Sequence, residues 1–313
     1  MNILVLGADG YTGSRLVSKL IERGHRVRGL VHKLEQGIAL EKLGMELRAG
    51  DLSRIEDIRT IAQEMEVIYN LVGYCRADTP LMRAVLAGGV ENLLQTIDRE
   101  TVKKYIWASN VSVYGSCKPK ARLDETSPVK PSYALGKVTV EIEKRVAAEL
   151  PAVAVRVPSV YGPGRDYMES LKAGRLRLLN AGENWQSRIH VDDLVQVLLA
   201  ALDKGAAGAV YLAGDDLPTT AHDFFFEVAE AIGAPPPLLL EANAARAFGT
   251  VGRALNWFAG QTQINLNENL IGQLTNNYYC MNGKIKKELG VQLIYPTFRD
   301  AYEEMLTGKR SGK

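Results

Sequence analysis

Gly7-Ala8-Asp9-Gly10-Tyr11-Thr12-Gly13 follows directly on the apolar run Ile3-Leu4-Val5-Leu6, and a helical pattern opens at Ser14. Strand, glycine turn and helix in that order make a phosphate cradle. Small residues permit the tight turn and let the backbone approach a pyrophosphate, while the helix N-terminus offers free N–H groups to the anion. The spacing is GxxGxxG, not the GxGxxG of the common dinucleotide fingerprint, but the physics is the same. Asp9, Tyr11 and Thr12 lie inside the turn and are candidate cofactor contacts with Gly7, Gly10 and Gly13.

Working outward, short apolar runs alternate with longer helical patterns. Strands are expected at Ile3–Leu6, Arg26–Val31, Glu46–Arg48, Val67–Leu71, Lys104–Ala108, Ala152–Val157 and Val210–Ala213. Helices are expected over Ser14–Arg23, Leu34–Leu43, Ile55–Met65, Leu81–Asp98, Ser132–Glu149 and Val191–Leu202. This alternation implies right-handed βαβ units and a doubly wound parallel α/β sheet of the Rossmann type. The rhythm breaks over 161–188 and from 215 onward. The expected division is therefore a dinucleotide-binding domain of 1–160 plus 189–214, and a smaller substrate lobe of 161–188 plus 215–313.

Composition limits the partners. The 313 residues are 46% hydrophobic and 24% charged, the balance of a packed globular protein. Lys and Arg total 38 against 36 for Asp and Glu, a net charge of +2 that argues against nucleic acid. No apolar run reaches the roughly 18 residues of a membrane span. Three widely spaced cysteines, Cys75, Cys117 and Cys280, form no disulfide framework, and the histidines show no ligand spacing, so no metal is expected. With no leader pattern before Asn2, a cytoplasmic location is expected.

The end of the second strand selects the nucleotide, because an acid there grips the ribose hydroxyls of NAD. Here it reads Leu30-Val31-His32-Lys33, with no acid. His32 and Lys33 either meet the 2′-phosphate of NADP or are solvated loop residues; NADP is the favoured reading. Asp51, with Leu52 after it, either bonds the adenine amine or caps the following helix. Tyr133 and Lys137 stand one helical turn apart, which places phenol and ammonium on one face. A cation beside a phenol favours phenolate, suiting Tyr133 to exchange a proton with a substrate oxygen. Tyr114 and Lys118 share the spacing but run through Gly115-Ser116-Cys117 towards Pro119, which is no helix, and this pair is rejected.

With these pieces in order, the chain resembles an extended short-chain dehydrogenase/reductase of the epimerase/dehydratase superfamily. Further matches are Gly50-Asp51-Leu52, Asn70-Leu71-Val72-Gly73, Val113-Tyr114-Gly115, the run from Arg156 to Gly164, Arg188-Ile189-His190-Val191-Asp192-Asp193, and Lys287-Glu288-Leu289-Gly290 followed by Tyr295-Pro296. The resemblance implies that Tyr133 is the acid/base and that Lys137 holds the nicotinamide ribose. It also implies cofactor contacts at Leu71, Val72, Gly73, Pro158 and Val160, substrate contacts at Tyr161 and Arg188, and a homodimer through two helices of the first domain. The sequence departs at Asn110, where the family pattern has Ser or Thr. An amide donates a hydrogen bond to a carbonyl oxygen but cannot relay a proton. Ser112 is a substitute if the strand continues past Asn110, since the two then share a face. Asp192 and Asp193 are read as helix-opening acids.

For substrate, the segment Ala244–Ala259 carries Phe248, Val251, Leu255, Trp257 and Phe258 with only Arg246 and Arg253 basic, which suits an apolar pocket wall. With Ile264–Leu274 it is similar in layout to the dihydroflavonol-reductase and 3β-hydroxysteroid-dehydrogenase branch. The expected activity is carbonyl/alcohol interconversion on a small, largely apolar molecule. The alternatives are a nucleotide-sugar epimerase/dehydratase and a non-catalytic NADP-binding sensor or assembly factor.

Overall fold

The computed structural model describes residues 1–73, 79–241 and 268–308. Seven parallel strands form the central sheet. They are β1 (Asn2–Leu6), β2 (Arg26–Val31), β3 (Glu46–Ala49), β4 (Val67–Asn70), β5 (Lys104–Asn110), and the strands Ala152–Val157 and Val210–Leu212. Across the sheet the order is Val210–Leu212, Ala152–Val157, β5, β4, β1, β2, β3. Every pairing is parallel.

A parallel sheet covered on both faces needs strands that are apolar on both sides, which explains the unbroken run Ile3–Leu6. All four residues are fully buried, and they divide by parity. Ile3 and Val5 join a core with Leu16 and Leu20 of helix Gly13–Glu22 and Leu198 of helix Val191–Lys204. Leu4 and Leu6 join another core with Leu93 of helix Gly89–Thr96 and Ile142 of helix Ala134–Ala147. Each such side chain contributes about 1.5–3 kcal/mol on burial. Residues 161–302 supply a third cluster of Tyr161, Leu171, Phe224, Val228, Phe298 and Tyr302.

Three departures from expectation bear on the architecture around the cleft, beyond shifts of a residue or two at other element ends. The helix expected over Ile55–Met65 is a single turn, Ile55–Ile58. Ile58, Ile61, Ala62 and Met65 are buried at helical spacing. That spacing is met instead by tight turns, with Ile61 N–H donating to Ile58 O and Met65 N–H to Ala62 O, ending at Glu64 with φ 65°. Periodicity alone does not separate an α-helix from consecutive i→i+3 turns. The helix expected over Leu81–Asp98 begins at Thr79 and contains a π-turn, Ala84–Gly88, before Gly89–Thr96. Strand β5 runs to Asn110, two residues further than expected, and then the chain closes into a 3₁₀ turn, Val111–Tyr114.

The strand order reverses between β1 and β4, and a sheet built this way leaves a crevice beyond the strand ends at that point. Both the glycine turn and Leu71-Val72-Gly73 emerge there.

Candidate cofactor cleft and catalytic corner

A cleft of about 420 Å³ opens at the reversal point, lined by Gly7, Gly10, Tyr11, Thr12, Gly13, Leu71, Val72, Gly73 and Asn110 among others. Two of the glycines are demanded by the turn itself. Gly7 has φ +75°, and a Cβ on Gly13 would stand 2.0 Å from the Gly7 carbonyl oxygen. Helix Gly13–Glu22 then begins with no side-chain cap and no acid in its first turn, and Ser14 N–H is held by Gly10 O, so no side-chain charge offsets the partial positive charge of this helix end. These residues fit a dinucleotide pyrophosphate. The opposite rim is set by buried Asn70, whose Oδ1 accepts from Val72 N–H at 3.1 Å while its Nδ2 donates to the Tyr105 hydroxyl at 2.8 Å. Asp9 is half-buried in the turn and does not line the cleft.

Tyr11 lies between two guanidinium groups, Arg15 and Arg165, each 4.4 Å from its ring centroid. Burial raises its phenol to about 12 against the opposing pull of both cations. Arg165 also lines the cleft. Its approach comes from tertiary packing of the turn after Tyr161, and no local spacing in the sequence signals it.

At the ends of β2 and β3, His32 and Lys33 are exposed. Asp51 is not the cap of the next helix, which is Arg54. Its Oδ1 instead accepts from Ser53 N–H at 2.8 Å and Ser53 Oγ at 2.7 Å. The Ser53 hydroxyl bond, with the nearby His32 and Arg54 charges, holds the Asp51 carboxyl below its ordinary range. Leu52 is a core residue pressed against Gly89.

Tyr133 is the residue that starts helix Ala134–Ala147. Gly136 lets that helix settle on the 3₁₀ turn, since a Cβ there would be 2.4 Å from Ser112 O. The Tyr133 side chain is 8% exposed, whereas Lys137 is exposed to solvent. The expected lowering of the phenol by Lys137 is absent. Burial pushes Tyr133 far above the ordinary phenol value, Tyr278 pushes it further, and Ser112 opposes. The reason is direction: the phenol runs inward to the Tyr278 hydroxyl at 2.8 Å, and the ammonium runs outward.

Asn110 caps the 3₁₀ turn, its Oδ1 accepting from Ser112 N–H at 2.8 Å. That bond fixes the amide orientation and leaves Nδ2 as the donor end at the cleft. Ser112 is not on a continued strand. It is carried inside by the turn, fully buried, with its hydroxyl unpartnered among the described residues and close enough to bias Tyr133. Ser109 turns the other way and donates to Glu143 at 2.6 Å. The rejected Tyr114, at the end of the 3₁₀ turn and outside any α-helix, gives its hydroxyl proton to Asp124 O and accepts from Arg156.

Other expected contacts are not among the residues that line the cleft. Pro158 is buried, and Val160 packs on the first core. Tyr161 is buried in the third cluster, stacked on Tyr302. Arg188 is buried over the Phe224 ring at 4.0 Å and donates to Thr219 Oγ1 at 3.0 Å. Asp192 and Asp193 occupy the first turn of helix Val191–Lys204, and Asp193 also accepts from the N–H groups of Ile294 and Tyr295. Cys75 and Ala244–Ala259 lie outside the described residues, as do 264–267 of the segment Ile264–Leu274, which continues as helix Glu268–Thr275. No described helix is long and apolar enough to cross a membrane.

Comparison with known proteins agrees with this architecture. The chain is 27% identical to a 3-diazoavenalumate denitrifying reductase from a Streptomyces species, covering 96% of this chain and 98% of that protein. It is 26% identical to a 3 beta-hydroxysteroid dehydrogenase/Delta 5→4-isomerase of Mycobacterium tuberculosis, covering 94% and 87%. The fold is shared with a UDP-glucose 4-epimerase from Thermotoga maritima solved with UDP-glucose, with a TM-score of 0.77 at 21% identity over 98% of this chain and 99% of that one. Residues 3–214 match the NAD dependent epimerase/dehydratase family. With that match across most of its length, the chain belongs to this family, as an enzyme of the extended short-chain dehydrogenase/reductase type.

Proposed function

We propose that this enzyme interconverts a carbonyl and an alcohol on a small, largely apolar substrate, using NADP in preference to NAD. The observation that carries the reading is the cleft at the strand-order reversal. There an uncapped helix N-terminus and a glycine turn face Asn110, while the Tyr133 helix packs against the turn that Asn110 caps. The named activities of the reductase and dehydrogenase relatives support it. His32 and Lys33, exposed and without an acid at the strand end, supply the positive charge that a 2′-phosphate attracts.

The glycine turn with Leu71-Val72-Gly73 would hold the pyrophosphate, and the bound nicotinamide supplies or accepts the hydride. Asn110 Nδ2 donates to the substrate oxygen and orients it. Tyr133 gives that oxygen a proton in reduction and takes one back in oxidation. Lys137, one turn along the same helix, is assigned to the ribose. We further propose the division into a dinucleotide domain and a substrate lobe drawn above, a cytoplasmic location, and a homodimer through two helices of the first domain.

The test is NADPH oxidation followed at equilibrium with a panel of apolar aldehydes and ketones. Net consumption lost in Tyr133→Phe supports carbonyl reduction. Product formed from a nucleotide sugar without net cofactor turnover would replace it with epimerisation, and tight NADPH binding without turnover in either assay would replace it with a sensor.

A further inference from the structure

Tyr278 meets the Tyr133 phenol in a way that no spacing in the sequence announces. Its hydroxyl is 2.8 Å from the Tyr133 hydroxyl, and Asn276 Nδ2 donates to it at 3.3 Å. The backbone of Tyr278 is fixed on both sides, its N–H donating to Trp185 O and its carbonyl accepting from Ser187 N–H, each at 2.7 Å. Asn277 adds two more ties, accepting from Trp185 N–H at 2.8 Å and donating to Cys117 O at 3.1 Å. The ring of Tyr278 is 5% exposed, packed with Val113 and Leu212. From above, Gly272 of helix Glu268–Thr275 presses on the Tyr133 ring so closely that a Cβ would lie 2.7 Å from Cδ1.

The phenol is therefore clamped over its face by one backbone segment and at its tip by another, both from the C-terminal part of the chain. A side chain held this rigidly by independent elements is pre-organised rather than adaptable. The amide of Asn276 occupies one lone pair of the Tyr278 oxygen, and the two phenols can still share a hydrogen bond across the 2.8 Å between them, with either as donor.

We propose that Tyr278 is a positioning residue, whose hydroxyl fixes the Tyr133 oxygen in place for proton exchange with a substrate oxygen. This rests on the reading of Tyr133 as the acid/base group. Burial and Tyr278 both act in the direction of the neutral phenol, with the Ser112 hydroxyl opposing. The other titratable groups facing Tyr278 are the thiols of Cys117 and Cys280, both kept neutral by burial. No described cation faces the pair.

The test uses the full-length protein labelled with [ζ-¹³C]tyrosine, with the Tyr133 resonance assigned by its loss in Tyr133→Phe. Tyr278→Phe keeps the packed ring and removes only the hydroxyl. It is expected to displace the Tyr133 resonance and move its titration to lower pH, while Tyr279→Phe next door leaves both unchanged. In turnover with NADPH and a reactive ketone, Tyr278→Phe is expected to lower kcat about tenfold with KM little changed. An unmoved Tyr133 resonance and titration in Tyr278→Phe would overturn the proposal. If that variant folds poorly, Asn276→Ser, which removes the amide that holds the Tyr278 hydroxyl, gives the same readout, and a Tyr133 resonance indifferent to it overturns the proposal. Full turnover in Tyr133→Phe would overturn the acid/base reading itself, a result separate from the coupling of the two phenols.

Discussion

His190 ties the stability of the fold to pH. It precedes helix Val191–Lys204, is 2% exposed, and its Nδ1 accepts from Asp192 N–H at 3.3 Å, which requires the neutral ring with its proton on Nε2. Its ring meets Tyr161 edge-on at 5.4 Å and Tyr295 at 4.1 Å. Burial lowers its pKa from 6.5 to about 4, Asp192 opposing and Arg15 assisting. Above pH 6.5 the ring is neutral both folded and unfolded, and titration costs nothing. As pH falls below 6.5 the unfolded chain takes the proton first, so stability declines until the folded ring titrates near 4. The full span corresponds to about 3 kcal/mol, of which about 2 kcal/mol is lost between pH 7 and pH 5. Urea unfolding of the wild type and His190→Gln at both pH values isolates this group. The wild type should lose about 2 kcal/mol more than the variant over the interval. Parallel losses in the two proteins would refute the reasoning.

Other outcomes follow from single contacts. Gly13→Ala places a Cβ against Gly7 O and should weaken NADPH binding at least tenfold, about 1.4 kcal/mol, by calorimetry, with far-UV dichroism kept. Lys33→Glu should lower NADPH affinity about tenfold and leave NADH unaffected; equal effects on both would remove the 2′-phosphate assignment. Asn110→Ser keeps a side-chain oxygen to cap the 3₁₀ turn and should retain or raise turnover, whereas Asn110→Ala should cost about 1 kcal/mol in thermal stability. Arg156 pairs with Glu143 through Nε at 3.0 Å and Nη2 at 2.7 Å, with side chains 5% and 12% exposed. Arg156→Met strands that carboxylate and should cost about 3–5 kcal/mol in chemical denaturation.

The sheet was legible because each strand carries its own signal. A run apolar on both faces, followed by glycine and then helical periodicity, has few other interpretations, and β2 and the strand Ala152–Val157 have the expected boundaries. Local chemistry marked the Gly7–Gly13 turn and the family resemblance marked Leu71–Gly73, and both line one cleft. What escaped depends on contacts between distant segments. Tyr278 reaches Tyr133 across 145 positions. Arg165 reaches Tyr11 because the turn after Tyr161 folds back on the glycine loop. The i,i+4 spacing placed Tyr133 and Lys137 on neighbouring helical positions, but spacing does not say which of two neighbours is covered by a later element. The cap reading of Asp51 and the helix Ile55–Met65 failed for a related reason: Asx turns and tight i→i+3 turns satisfy the same polar and apolar pattern as a capped helix.

The central claim is that Tyr133 exchanges a proton with a substrate oxygen while hydride crosses from a dinucleotide in the adjoining cleft. Deuterium transfer from [4-²H]NADPH to apolar ketones, read by mass spectrometry of the alcohol, tests it most directly. The account predicts one deuterium at the carbinol carbon with the wild type and at least a hundredfold less product with Tyr133→Phe, about 2.7 kcal/mol of lost transition-state stabilisation. Product without deuterium, or deuterated product formed at an unchanged rate by Tyr133→Phe, would contradict it.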